Sequence, residues 1–290
     1  MTKVEMIIEP RKKDLGGFSV GRVLPYARRR HVGPFVFFDH MGPVELSPEQ
    51  GMDVRPHPHI GLSTVTYLFE GSAVHRDSLG TIQVIKPGDC NWMTAGCGIS
   101  HSERIPKEMK IPGTRIHGLQ IWVALPKESE DVSPSFFHYP KHSLPSFEKD
   151  NIQVQVIVGE LAGQRSPVHI YSPMFYYELK MKAGQKFSHL IPSTQEAAIY
   201  SVAGSYKITD QEISEHHMAV FEMGQPIQFE AIDDLHCVVI GGEPFPEERL
   251  MWWNLVSTSP EKIQNAKKAW AEQTFPMVPG ETEFIPLPTT

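Results

Sequence analysis

The sequence predicts an all-β protein: two small barrels in tandem, followed by a short C-terminal helix and an extended tail. Three observations carry this. The 22 glycines and 25 prolines are spread along the chain and punctuate short runs rich in Val, Ile, Phe, Tyr and Thr. The second half repeats landmarks of the first at a nearly constant offset. Only one segment has helical spacing behind a good N-cap.

The strands come first. Ser63–Phe69, Ile116–Val123, Ile152–Val158 and Phe175–Leu179 are β-branched and aromatic runs bounded by turn residues. Tyr67-Leu68-Phe69-Glu70-Gly71-Ser72 in the first half matches Tyr200-Ser201-Val202-Ala203-Gly204-Ser205 in the second, and each ends in Gly-Ser as a hairpin turn would. His101 falls on His236 at almost the same offset. Two similar β units imply two barrels.

The helix follows. Ser259 is an N-cap, Pro260 suits the first helical position and Glu261 favours the positive end of the dipole. Ile263, Ala266 and Trp270 recur at helical spacing up to Gln273. Four prolines keep the tail beyond it extended, and its Phe275, Phe284 and Leu287 predict that it lies on another surface. The Pro-spaced stretch from Pro126 to Asp150 reads as the connection between the halves. The predicted division is therefore 1–135, 136–258 and 259–290.

Composition narrows the function. Lys plus Arg is 27 and Asp plus Glu is 34, a formal charge of −7. A nucleic-acid reader needs a basic stripe, and the one basic run, Arg28-Arg29-Arg30, reads as a solvated turn or strand end. No apolar run approaches the roughly 20 residues of a membrane helix. Three cysteines, with no C-x-x-C and no secretory signal in the opening residues, predict a reducing, cytoplasmic setting. A monomer is the expected state.

The chemistry lies in the first half. His57 and His59 are two apart in Arg55-Pro56-His57-Pro58-His59, so on a strand they share a face. His101 and Glu103 form a second such pair after the glycine-rich turn at Gly96-Cys97-Gly98. If the two strands are neighbours, three imidazoles and a carboxylate converge. That donor set suits Fe(II), Mn, Ni, Co, Cu or Zn, with no thiolate to favour a soft metal. Phe38, Met52, Val65, Met93 and Trp122 are candidate lining residues, each with plain core packing as the alternative. His117 reads as a satisfied core histidine or a donor to a ligand. His40 and His75 read as surface or loop histidines, and Cys97 reads by default as a buried small hydrophobe, with redox sensitivity as the alternative if it is exposed.

These residues resemble the cupin superfamily and, within it, the pirins. Gly51, His57, His59 and Gly71 fit the first cupin motif, with Thr64 where a glutamate is expected. Gly98 and His101 fit the second, with Gly96 in place of its proline. Glu103 supplies the missing acid, which is the pirin pattern. Pro34-Phe35-Val36-Phe37-Phe38-Asp39-His40, Trp92-Met93-Thr94-Ala95-Gly96 and Gly241-Gly242-Glu243-Pro244 are further pirin-like strings, and Trp252-Trp253-Asn254-Leu255 is similar to bacterial members.

The resemblance implies two jelly-roll type cupin barrels, with one divalent metal, most often Fe(II), in the first. The metal ligands would be His57, His59, His101 and Glu103. It implies a quercetin 2,3-dioxygenase-like activity on a flavonol-like aromatic substrate with O2, in which Glu103 also takes a proton. The alternative it carries is a non-enzymatic, redox-responsive regulatory role with a protein partner; a metal-assisted isomerase is a third reading. In the second half Leu190 and Pro192 stand where the first histidine pair would lie and Val238 replaces Glu103, so His236 reads as a structural remnant.

Overall fold

The structure is a computed structural model that describes residues 2–15, 18–45, 53–105 and 114–289. Among these residues one segment, Pro260–Ala271, is an α-helix, and the architecture is otherwise β. Ile152–Val158 shows why: its isoleucines and valines are buried, while Gln153 faces solvent. Gln155 is the buried exception, and its amide donates to the carbonyls of Leu144 and Pro145. The other predicted runs extend by a residue or more at each end, as Leu62–Glu70, Arg115–Ala124 and Met174–Met181.

The chain divides into two compact units, neither contiguous in sequence. One holds residues 12–21, 38–141 and 246–290; the other holds 1–11, 22–37 and 142–245. This differs from the division read from the sequence at 135/136 and 258/259. The strand Val4–Ile8 pairs with Met218–Phe221. The C-terminal helix packs Ile263, Ala266 and Trp270 with Ile60, Leu255 and Phe275. Chain order does not reveal which exposed sheet edge or apolar face a terminal segment will cover.

The unit that carries the histidines has a four-stranded sheet in the order Asp53–His59, Ile99–Arg104, Ala73–Asp77, Ile82–Ile85. Opposite it is a seven-stranded sheet in the order Ser135–Tyr139, Cys90–Thr94, Leu62–Glu70, Arg115–Ala124, Phe35–Glu45, Ser19–Leu24, Arg11–Asp14. Pro56 and Pro58 lie on an edge strand, where a missing N–H leaves no ladder bond unmade.

The second unit repeats this plan with seven and four strands. Its apolar core is built on Phe175, Tyr177, Ile199, Tyr206, Phe221, Phe229 and Val239. Each such fully buried side chain contributes roughly 1.5–3 kcal/mol. Gly71 and Gly204, the paired landmarks, both have positive φ, 81° and 79°. A Cβ on either would stand 2.3–2.4 Å from a carbonyl oxygen, of Arg115 or of Asp234, so each turn excludes any side chain.

Two sequence expectations change. The stretch read as a connection contributes two strands: Ser135–Tyr139 pairs with Cys90–Thr94, and Ser146–Lys149 with Ile152–Val158. Its prolines cut the strands short without preventing them at sheet edges. In the basic run Arg28 and Arg30 are exposed as expected, and Arg29 alone departs from the reading by pairing with Glu196 at 2.6 Å. The helix agrees with its prediction: Ser259 caps it by accepting from the Lys262 N–H. No helix among the described residues is long and apolar enough to cross a membrane.

Candidate metal centre

The site is assembled by the four-stranded sheet. His101 sits directly across the ladder from His57 on one neighbour and from Asp77 on the other. His59 is opposite Ile99, and Glu103 is opposite His75. The register slips by one residue between His101 and Glu103 against the Asp53–His59 strand. Such a bulge turns side chains locally and is common beside functional sites.

The three imidazoles meet. Ring centroids of His57, His59 and His101 lie 4.5–5.0 Å apart, and His59 Nε2 is 3.1 Å from His101 Nε2. All three are buried. Their ligand atoms fall within 4.8 Å of one another. Glu103 is buried too, but its carboxylate groups at that distance with His75 and His101 rather than with His57 and His59. Thr66 Oγ1 donates to Glu103 Oε1 at 2.7 Å and contacts the Gln120 amide oxygen at 3.1 Å.

Burial governs the electrostatics. Loss of solvation lowers the His57 pKa to about 4, only partly offset by its bond to the Arg55 carbonyl. His59 and His101 are held well below the ordinary histidine value by burial and then by neighbouring rings. At neutral pH all three are uncharged, as metal ligation requires. Burial raises Glu103, against the lowering effect of the Thr66 hydroxyl. No Lys or Arg among the described residues forms an ion pair with it. A buried carboxylate without a cationic side chain, beside three neutral imidazoles, fits a divalent transition ion.

The chain also fixes the ring orientations. His57 Nδ1 bonds the Arg55 carbonyl at 2.9 Å, and His59 Nδ1 bonds the Asn254 carbonyl at 3.0 Å. Either ring then turns Nε2 toward the cluster. The tail braces the same strands from outside. Ile285 N–H donates to the Pro56 carbonyl, Ser100 Oγ donates to the Pro276 carbonyl, and Glu281 accepts from Ser102 and Arg104.

Family models match the chain in two places: residues 17–123 match "Pirin" and residues 176–276 match "Pirin C-terminal cupin domain". A pirin-like protein of Caulobacter vibrioides is 44% identical over 289 residues, covering 98% of this chain and 99% of its own. The chain belongs to the pirin family. A Pseudomonas aeruginosa protein whose name proposes quercetin 2,3-dioxygenase activity is 37% identical, over 89% of this chain and 80% of its own. Among solved structures, a quercetin 2,3-dioxygenase from Acinetobacter baumannii matches with TM-score 0.91 at 34% identity, over 98% of this chain and 95% of that one. Both β units are thus cupin barrels.

Of the other singled-out residues, Trp122 lies on the site face, its ring centroid 5.2 Å from that of His59. Met93 is across from Thr64, on that same face. Val65 pairs with Ile121 and points to the opposite face from Thr66. Phe38 is buried and shares a strand face with His40. Gly51 and Met52 lie outside the described residues. His117 meets His40, Nε2 to Nε2 at 2.8 Å, and both are buried. His40 is therefore not a surface residue.

Neither is His75. It is buried, stacks on Phe136 at 4.3 Å, places Nδ1 3.3 Å from His101 Nδ1 and bonds Asp77 through Nε2 at 2.9 Å. Burial alone would raise Asp77, but His75 and Thr81 hold it below the ordinary carboxylate range. The sequence carried the signal, because His75-Arg76-Asp77 repeats the same-face spacing of His101 and Glu103. Cys97 is exposed, not buried, and opens on a cleft of about 350 Å³ between the turn and the helix, also lined by Lys262, Asn265 and Phe275. In the second barrel His236 bonds Glu178 at 2.8 Å, and Leu190 is exposed. No candidate metal cluster occurs there among the described residues.

Proposed function

We propose that this pirin is a metal-dependent dioxygenase that opens a flavonol such as quercetin with O2, using one divalent ion, Fe(II) first among the candidates. His57, His59, His101 and Glu103 would hold the ion. The observation that carries the reading is the convergence of three neutral, buried imidazoles beside a buried carboxylate inside one barrel. The relatives named for quercetin 2,3-dioxygenase support the substrate class.

The chemistry such an ion supplies is Lewis acidity and one-electron redox capacity. The chain's own residues do the rest. Glu103, made more basic by burial, receives the proton of the flavonol 3-hydroxyl and returns it to the product acid. Thr66 fixes one oxygen of that carboxylate, so the base is held in place before substrate arrives. Trp122 and Met93 give an apolar wall suited to a flat aromatic ring and exclude water from the electron-rich enolate. Addition of both oxygen atoms of O2 across the central ring, with loss of its C3 carbon, yields a depside and carbon monoxide.

The test is anaerobic purification with elemental analysis, then quercetin turnover on the same sample. Quercetin-dependent O2 uptake with release of carbon monoxide supports the reading. His101→Ala should abolish both metal content and turnover. A fully metal-loaded wild-type protein that leaves quercetin and other flavonols intact contradicts it.

A further inference from the structure

The three cluster imidazoles each commit one ring nitrogen to a partner, and the partners differ in kind. For His57 and His59 the partner is a backbone carbonyl. A carbonyl only accepts, so Nδ1 carries the proton and Nε2 keeps its lone pair. His101 instead faces another histidine: its Nδ1 is 3.3 Å from His75 Nδ1. An imidazole nitrogen donates or accepts, so that contact alone leaves the proton's place open.

Asp77 decides it. Its Oδ1 accepts from the N–H groups of Leu79 and Thr81, which anchor the carboxylate to the backbone. Its Oδ2 lies 2.9 Å from His75 Nε2. A carboxylate only accepts, so His75 Nε2 carries a proton, and in the neutral ring its Nδ1 is bare. Bare Nδ1 accepts from His101 Nδ1–H, and His101 Nε2 is then bare as well. That nitrogen faces His59 Nε2 at 3.1 Å. The ring plane of His75 is fixed by Phe136, stacked at 22°.

We propose that Asp77 and His75 are positioning residues of the metal centre, a backbone-anchored relay that keeps the His101 proton on Nδ1 and tunes the ion held through Nε2. The inference rests on the metal reading above and is independent of the organic substrate. An acceptor behind a ligating imidazole raises its basicity, which strengthens binding and favours the oxidised ion.

Three variants test it. Asp77→Asn offers an amide N–H to His75 Nε2, reverses the His75 proton and confronts His101 Nδ1–H with a donor. The His101 proton then moves to the metal-facing nitrogen. His75→Phe keeps the ring volume against Phe136 and removes the acceptor. His75→Gln keeps an acceptor for His101 and a donor for Asp77. Zn(II) affinity is read by competition with a chromophoric chelator, and the ferric–ferrous midpoint potential is read on iron-loaded protein.

The relay predicts a loss of about 10–100-fold in zinc affinity for Asp77→Asn and His75→Phe, with His75→Gln close to wild type. It also predicts a higher midpoint potential in the first two variants alone. Wild-type affinity and potential in Asp77→Asn and His75→Phe would overturn it. So would two zinc equivalents in the wild type falling to one in His75→Phe, because His75 would then be a ligand itself. A wild-type protein that binds no zinc defeats the metal reading and the relay together, whereas one that binds zinc but spares flavonols defeats only the substrate assignment.

Discussion

His59 Nε2 and His101 Nε2 stand 3.1 Å apart in the barrel interior, although 42 residues separate them in the chain. Two lone pairs at that distance repel unless a proton or a cation lies between them. Removing either ring should therefore remove the ion. His59→Ala or His101→Ala is expected to lower zinc affinity at least 100-fold, measured by chelator competition, while far-ultraviolet circular dichroism stays that of the wild type.

The metal-free protein should lose stability as pH falls. Unfolded histidine protonates near 6.5, whereas His57 resists protonation down to about 4. Between those values the unfolded chain binds more protons, so unfolding free energy rises with pH. The contribution is complete above 6.5 and lost on the way to 4. His57 alone accounts for on the order of 3 kcal/mol, and His59 and His101 act in the same direction. The raised carboxyl of Glu103 opposes this, since it favours the folded state only at low pH. Chemical denaturation of chelator-treated protein at pH 7 and pH 5 should show the midpoint falling; a flat profile contradicts the burial argument.

Thr66 holds Glu103 down against the upward effect of burial. Thr66→Val keeps the shape and removes that hydroxyl. The Glu103 pKa should rise further, so a reaction that needs the carboxylate form loses its acid limb at higher pH. Comparing the pH profiles of turnover in wild type and Thr66→Val checks the direction; coincident acid limbs would remove Glu103 from the base role.

The tail is predicted to be a brace rather than an appendage. Glu281 accepts from Ser102 and Arg104, neighbours of Glu103 on the ligand strand. Glu281→Ala leaves the Ser102 hydroxyl without its acceptor and removes one of three carboxylates around Arg104, which keeps Asp53 and Glu283. It should cost about 1 kcal/mol, read as a lower denaturation midpoint with faster metal loss to a chelator. An unchanged rate of loss would separate the tail from the site.

Much of this was legible in the sequence, and the reasons are local. His57 and His59 sit two apart on a strand, as do His101 and Glu103, so shared faces follow from the backbone alone. The helix followed from Ser259, Pro260 and the spacing of Ile263, Ala266 and Trp270. The failures are tertiary. That His75 is buried depends on the Ala73–Asp77 strand lying beside Ile99–Arg104, which no short-range pattern reports. The partner of His59 is a carbonyl 195 residues away at Asn254, and a backbone acceptor has no sequence signature. Val4–Ile8 pairs with Met218–Phe221, a partner so distant in the chain that no local pattern names it.

The most direct test of the account is anomalous diffraction at the zinc edge from a crystal of the protein soaked in Zn(II). The account predicts a single peak about 2.0–2.2 Å from Nε2 of His57, His59 and His101, with a Glu103 oxygen as fourth protein ligand. A peak seated instead between His75 and His101 Nδ1, or no peak inside the barrel at saturating zinc, would contradict it.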